Sequence, residues 1–305
     1  MVAALLAELF ESHRAHLLSV AYRLTGSVGD AEDAVQESFL RLGGVHQSEI
    51  DDLGIWLTAA VSRICVDHLR SAATRRETYV GQWLPEPVVT GVRPSTAPDP
   101  LAAAVRRPEC RLARMVALDT LTSHQRVAFV LHDELSVPLD EVAEILDISV
   151  DAAEQAAHRA RTVIGGIALP VPDSEHDAAV RALLAALATG EVTTVAAALH
   201  RESVLIGDAN GTTSTAANIV AGADDIARIM LALVRAYGIG DSPDAATRYE
   251  FATVNGQLGL VMNLDSSSDE QNWHPARVIG FTVRDGLICG AYDHANPAKL
   301  TGVRL

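Results

Sequence analysis

Lysine is nearly missing from this 305-residue chain: Lys299 is the only one, so arginine carries the rest of the positive charge. Positive charge is short altogether, with 24 basic against 39 acidic residues and a formal net charge of −15. Net acidity repels phosphate beyond contact range, which excludes nucleic-acid binding through a general positive field. Residues 169–305 supply −7 of that charge, residues 1–80 supply −4 and residues 101–168 supply −3. None of these parts is basic, so contact with a phosphate backbone must come from local arginine clusters. Cysteine is equally scarce. Cys65, Cys110 and Cys289 are odd in number and far apart, without a CxxC pair or metal-ligand spacing. That excludes a disulfide framework and a structural metal site, and the thiols read as those of a reducing cytoplasm. No apolar run is long enough to span a bilayer. Glu8 and Glu11 interrupt the first apolar stretch and no cationic segment precedes it, so no secretory signal is expected. The expectation is a soluble cytoplasmic protein with no membrane partner.

What is present is a long, hydrophobic chain. Its 305 residues, 49% of them hydrophobic, suggest two or three domains with cores of their own and little disorder. Residues 1–76 read as helices: Leu6, Leu9, Phe10, His13, Leu17, Val20, Ala21 and Leu24 recur at helical spacing. Gly26 and Gly29 flank a turn, Asp30 is placed to cap a second helix, and Gly43-Gly44 ends it near Leu42. Residues 77–107 form a linker rich in proline (Pro85, Pro87, Pro94, Pro98 and Pro100). Residues 108–168 turn helical again. There LDEVAEIL, the turn at Asp147-Ile148 and a helix capped by Ser149 make a helix-turn-helix, whose second helix can enter a major groove. Pro170 and Pro172 mark a second linker. Residues 174–305 change character, with helices near 175–189 and 222–237 and then β-like runs at 256–264 and 276–283. Asp285-Gly286 reads as a hairpin turn into Leu287–Tyr292. Helices followed by an antiparallel sheet make an α+β domain. No internal repeat is visible.

Five segments carry chemistry. The first, Ile55 to Pro87, is an amphipathic helix that runs into a cationic end and stops at Trp83-Leu84-Pro85-Glu86-Pro87. Trp56 reads as core. Arg63, His68, Arg70, Arg75 and Arg76 crowd its C-terminal half, where guanidinium groups can pair with phosphate and stack on bases, or form structural salt bridges. Asp30, Glu32, Asp33, Gln36, Glu37 and Arg41, on the preceding helix, offer either a solvated acidic face or a dock for a basic partner. In the helix-turn-helix, Ser149, Gln155, His158, Arg159 and Arg161 are placed to face DNA. Glu154, with Asp151 one turn earlier, cannot meet phosphate favourably. His124 and His132 read as surface or core residues. The last segments are Asp208-Ala209-Asn210-Gly211-Thr212 and Asn296-Pro297-Ala298-Lys299-Leu300.

These segments resemble those of the extracytoplasmic-function sigma factors of bacterial RNA polymerase. GDAEDAVQESFLRL and WLTAAVSRICVDHLRSAATRRE resemble sigma region 2, and LTSHQRVAFVLHDELSVPLDEVAEILDISVDAAEQAAHRARTVI resembles region 4. WLPEP resembles the linker motif of the sigma J-type subgroup, which carries a C-terminal SnoaL-like domain. The implied fold class is multidomain: a region 2 helical bundle, a region 4 helix-turn-helix and an α+β NTF2-like cone. The resemblance implies that Asp30, Glu32, Asp33, Gln36, Glu37 and Arg41 dock on the β′ subunit of core RNA polymerase. Arg63, His68, Arg70, Arg75 and Arg76 would then serve the promoter −10 element, and the helix after Ser149 the −35 element, with the β subunit as a further partner. Trp83, Leu84, Pro85, Glu86 and Pro87, together with Asp208, Gly211, Asn296, Pro297, Lys299 and Leu300, would make an interdomain regulatory contact. Relatives of the cone fold include cyclases with an Asp/His pair, for which His200, Asp208, Trp273, His274, Asp293 and His294 are candidates. Nothing in their spacing selects a pair, and no cofactor or metal is expected. The chain therefore reads as an alternative sigma factor regulated in cis, with an unidentified small-molecule or protein signal acting on the C-terminal domain. A ligand-sensing helix-turn-helix regulator and a cyclase-like enzyme are the other readings.

Overall fold

The structure, a computed structural model, describes residues 2–45, 50–76, 79–90, 99–240, 247–262, 276–301 and 303, without the side chains of 2–8, 72–76, 247 and 248. The chain divides into two compact units. The first takes in Met1–Thr78, Ala97–Cys110 and Arg114–Ile167, and the second Tyr79–Thr96, Arg111–Ala113 and Ala168–Leu305.

The first unit is helical. Its N-terminal bundle is α1 (Val2–Thr25), α2 (Val28–Leu42) and α3 (Leu53–Arg76), closed over Leu17, Tyr22, Leu24, Leu57, Val61 and Ile64. Ser27, rather than Asp30, caps α2: its hydroxyl accepts from Asp30 N at 3.2 Å. A serine in extended conformation satisfies an orphan amide that Asp30, already helical, cannot reach. Phe39 of α2 is 37% exposed, and Trp56, which reads as core in the sequence, is only half-buried. The short α4 (Pro100–Val105), capped by Asp99, packs Ala104 and Val105 against α1, so the segment expected as linker is partly helical core. Then follow α5 (Leu112–Asp119), α6 (Ser123–Ala128) with a Thr122/Gln125 capping box, and a π-helical turn at Phe129–Glu134. The helix-turn-helix is α7 (Leu139–Leu146) and α8 (Val150–Ile164), joined through Asp147 in the left-handed region at φ 58° and the Ser149 cap. Ala153, Ala156, Ala157 and Ala160 make a flat buried face on α8, and small side chains there let it lie close to its neighbours.

The second unit is a sheet with helices on one face. Residues Val89–Thr90 of the proline-rich segment form β1. After α9 (Asp173–Thr189) and α10 (Val192–Ala197) come β2 (Leu199–Asp208), β3 (Val220–Ala221), α11 (Ala223–Tyr237) and β4 (Ile239–Gly240). The remaining strands are β5 (Thr247–Val254), β6 (Gln257–Met262), β7 (Arg277–Arg284) and β8 (Leu287–His294). Strand order is β1-β5-β6-β7-β8-β2-β3, with β4 beside β5. The sheet is not wholly antiparallel as expected, since β2 runs parallel to β8. Helix α11 follows β2 in the chain, and the β5–β8 meander then returns to lie beside it. Asn255-Gly256 and Asp285-Gly286 turn the β5–β6 and β7–β8 hairpins with positive φ at both residues (48° and 80°, 54° and 72°), as a two-residue primed turn requires.

Alternation along the strands gives the sheet two working faces. Leu205, Leu260, Phe281 and Ala291 join the core under α9 and α11. Between them, Asp208, Val254, Val278, Gly280 and His294 point the other way, toward residues 79–90 and Leu112. A Cβ on Gly280 would lie 2.0 Å from Leu112 Cδ1, so the absent side chain is what seats that leucine.

Candidate functional site

The proline-rich peptide is threaded onto the outer face of the second unit's sheet. Pro85 and Pro87 have no amide hydrogen and hold Leu84 and Glu86 extended. The groups that remain find specific partners. Leu84 N donates to Asp208 Oδ2 at 2.7 Å, and Leu84 O accepts from Lys299 Nζ at 2.5 Å. Pro85 O faces His294 Nε2 at 3.0 Å, and Val88 N donates to Asn255 Oδ1 at 2.9 Å. Asn255 N returns a bond to Val88 O, and β1 then pairs with Val254 and Thr253 of β5.

Lys299 sits at the centre. It pairs with Asp208 at 2.6 Å, both side chains almost wholly buried, and its ammonium lies 3.2 Å from the centroid of the Trp83 ring. Tyr79 donates to Asp208 Oδ1 and accepts from Asn296 Nδ2 at 2.7 Å, with its ring edge-on to Trp83. Burial of two charges is costly unless every lone pair and proton is engaged. Here the carboxylate accepts from a phenol, an amide and an ammonium, while the ammonium also reaches a carbonyl and an aromatic face. Val80 N donates to Asn210 Oδ1 at 3.1 Å. Gly211, at φ 72°, allows the turn that brings Val80 close. Asn296 caps the 3-10 turn Pro297–Lys299 that aims the lysine, and Leu300 is buried behind it. Glu86 is half-buried and Pro87 buried. The structure thus brings together WLPEP, the segment at Asp208 and the segment at Lys299.

The candidate acid–base residues do not converge. Asp293 and His294 are neighbours on β8 and therefore face opposite ways. Asp293 pairs with Arg277 and accepts from Thr215 on the core side. His294 has a carbonyl at each ring nitrogen, Pro85 O and Val278 O. Burial pushes its pKa below the ordinary imidazole range, with Lys299 acting the same way and Asp208 and Asp293 opposing. Asp208 is committed to Lys299, and His200 accepts from Glu202 N at 3.1 Å. Trp273 and His274 lie outside the described residues.

On the first unit, Glu32, Asp33 and Gln36 are exposed along α2, while Glu37 pairs with Arg41 at 2.5 Å. Asp30 lies 4.0 Å from His68 of α3. Beside this acidic row, Leu9, Phe39 and Leu40 are exposed, and the Phe39 ring lies 4.7 Å from that of Phe10, tilted at 48°. Arg63 is exposed on α3, Arg70 makes a loose exposed pair with Asp67, and the side chains of Arg75 and Arg76 lie outside the described set. On α8, Glu154, Gln155, His158 and Arg159 are exposed. Arg161 is held by Asp133 at 2.5 Å, and Ser149 Oγ accepts from Ala152 N as the helix cap.

The two helical parts of this unit are locked together by buried charge. Arg23 of α1 meets Glu134 Oε2 at 2.5 Å, and Arg114 of α5 meets Glu134 Oε1 at the same distance. Arg126 of α6 donates to Leu24 O at 2.9 Å, to Leu118 O at 2.7 Å and to Asp119 at 2.5 Å. Arg23, Arg126 and the Glu134 side chain are each at most 5% exposed. The π-helical turn carries Glu134 at its end, an instance of the irregular turns that cluster at functional sites.

Comparison with known proteins settles the family. Residues 9–75 match the Sigma-70 region 2 family and residues 114–163 the Sigma-70 region 4 family. The ECF RNA polymerase sigma factor SigJ of Mycobacterium tuberculosis is 47% identical over 296 residues, 96% of this chain and 92% of that protein. The chain belongs to the ECF sigma factors. The crystal structure of M. tuberculosis SigJ superposes with a TM-score of 0.79 at 44% identity, covering 97% of this chain and 98% of that one. A second relative is the probable ECF sigma factor SigI of the same species. It is 35% identical over 190 residues, 61% of this chain and 64% of that protein. Sigma factors of this family bind core RNA polymerase and promoter DNA to direct transcription initiation. No helix among the described residues of this sigma factor is long and apolar enough to cross a membrane.

Sequence reasoning took His294 only as an acid–base candidate, and it missed Tyr79 and Asn255 in the cradle and Arg23, Arg126 and Glu134 in the lock. Asn255 carried a signal, since Asn-Gly is the strongest short hairpin marker and implies β5 and β6 on either side. Nothing local marked the others.

Proposed function

We propose that this alternative sigma factor is held closed by its own C-terminal domain, and that opening it exposes the surfaces that engage polymerase and promoter. The acidic row of α2, with the apolar patch at Leu9, Phe39 and Leu40, docks on β′. Arg63, His68, Arg70, Arg75 and Arg76 serve the melted −10 element. Region 4 sits on β, with Gln155, His158 and Arg159 of α8 at the −35 element and Arg161 joining them once Asp133 releases it. The C-terminal domain acts as a binding module, with Asp208 committed to Lys299 and Asp293 to Arg277. The site of action is the cytoplasm, with polymerase.

The observation that carries the closed state is Glu134 of region 4, bonded to Arg23 of region 2 and to Arg114 at the start of region 4. The −10 and −35 elements lie about 25 base pairs apart, roughly 85 Å of duplex at ~3.4 Å per pair. Regions joined through one buried carboxylate cannot occupy both. Separation also needs chain: residues 77–99, fully extended, reach roughly 80 Å at about 3.3–3.6 Å each. Holding residues 79–90 on the C-terminal sheet removes roughly half of that tether.

The test is binding of core RNA polymerase by the full-length protein, by a truncation ending at Leu169, and by the full-length Glu134→Gln variant. Tighter binding by both altered forms supports the closed state. Equal binding by all three overturns it while leaving the family assignment intact.

A further inference from the structure

The exposed face of α8 changes character along the helix. Asp151, Glu154 and Gln155 occupy its first half, and His158, Arg159 and Arg161 follow, with Arg161 taken by Asp133. The Ser149 cap fixes where the helix starts, and the buried alanines Ala153, Ala156, Ala157 and Ala160 fix which side faces out. Asp151 lies in the first turn, where a carboxylate complements the helix dipole. Glu154 lies beyond that turn and makes no hydrogen bond or ion pair with the described residues. Neither the dipole nor a partner within the protein accounts for it.

We propose that Glu154 is a specificity-determining residue that selects cytosine at one position of the −35 element, resting on the placement of α8 at that element proposed above. In a helix-turn-helix the N-terminal residues of the second helix reach base edges in the major groove. An ionised carboxylate offers acceptors only. It meets the cytosine N4 amino group favourably, and it is repelled by guanine O6 and N7 and by thymine O4. Adenine sets its N6 amino group beside the N7 acceptor, which suits a side chain with both a donor and an acceptor, such as the neighbouring Gln155. The repulsion between Glu154 and the phosphates is therefore offset only where a cytosine amino group stands opposite it. Glu154 then acts by rejecting three bases as much as by bonding the fourth, a use of repulsion that sharpens specificity without raising affinity for DNA in general.

The experiment selects sequences from a randomised duplex library with core RNA polymerase carrying the full-length protein, as wild type, Glu154→Gln, Glu154→Ala or Gln155→Ala. Single base-pair variants of the selected −35 element are then compared by competition. Both side chains are exposed, so none of these changes threatens the fold. For wild type, C·G at one position should outcompete each other base pair at least about fivefold, the lower end of what one good base contact discriminates. Glu154→Gln should move the preference there to A·T, and Glu154→Ala should erase it, with the other positions unchanged. Preferences unaltered by both Glu154 variants would overturn the inference and leave Glu154 on a solvated helix face. So would a Glu154-dependent position at which wild type prefers any base but cytosine. In either case a position shifted by Gln155→Ala would keep α8 at the −35 element. If neither residue moves any position, or no −35 element is selected at all, that placement fails and the inference with it.

Discussion

Lys299 shows how one side chain can hold a regulatory peptide. A flexible stem carrying a compact charge reaches a carbonyl, a carboxylate and an indole face at once, a combination a planar guanidinium does not match. Lys299→Met keeps much of the stem and leaves Asp208 buried without its cation. Removing one partner of a buried pair costs about 3–5 kcal/mol. The Leu84 and Val88 amides should therefore lose protection from hydrogen exchange, in proportion to the loosened peptide. Adding Asp208→Asn to Lys299→Met should restore part of that protection, because the stranded charge is gone. Unchanged exchange in the single variant would mean the peptide is held by its apolar contacts alone.

At the scale of elements, α8 is the clearest case of local chemistry setting behaviour. Its alanine face settles how it packs, and its outer face carries Glu154 among Gln155, His158 and Arg159. A carboxylate there opposes a phosphate backbone, as does the net charge of −15. Glu154→Arg should tighten binding to random duplex DNA and steepen the dependence of log affinity on log salt by about one unit. An unaltered slope would place this turn away from the duplex. Several elements were legible from the chain for physical reasons. Asp147 in left-handed conformation with Ser149 behind it is a turn and a cap that only a few residue types make. Asp285-Gly286 bends a hairpin for the same reason. Strand β2 was not legible, because its second half, Leu205 to Asp208, is buried on both faces and shows no alternation.

At the scale of the whole molecule, pH reports on a half-buried histidine in the first unit and two buried ones in the second. His16, His176 and His294 are each held below the ordinary imidazole value, and burial is the first cause in all three. The folded state then binds fewer protons than the unfolded one, so stability rises with pH across that window. The contribution is complete above about pH 6.5 and is lost as pH falls from there toward the depressed folded values. Thermal melts should therefore show lower midpoints near pH 5.5 than near pH 7.5, and His294→Gln should flatten the part belonging to the second unit. Equal midpoints at the two pH values would contradict this sign.

The amino-acid sequence by itself determined the family, the helix-turn-helix, the proline-bounded peptide and the three segments that meet at Lys299. These are carried by local residue types: caps, turn formers, helical spacing and short motifs whose chemistry is readable without neighbours. Only the tertiary structure decided which face of β8 each residue serves. It put Asp293 on the core side of the sheet, with Arg277 and Thr215, and His294 on the opposite side, against the linker. Tertiary structure also decided that Arg23 and Glu134, 111 positions apart, share a buried bond. Such contacts depend on which elements pack together, and a long-range ion pair leaves no pattern in the stretch of chain around either partner.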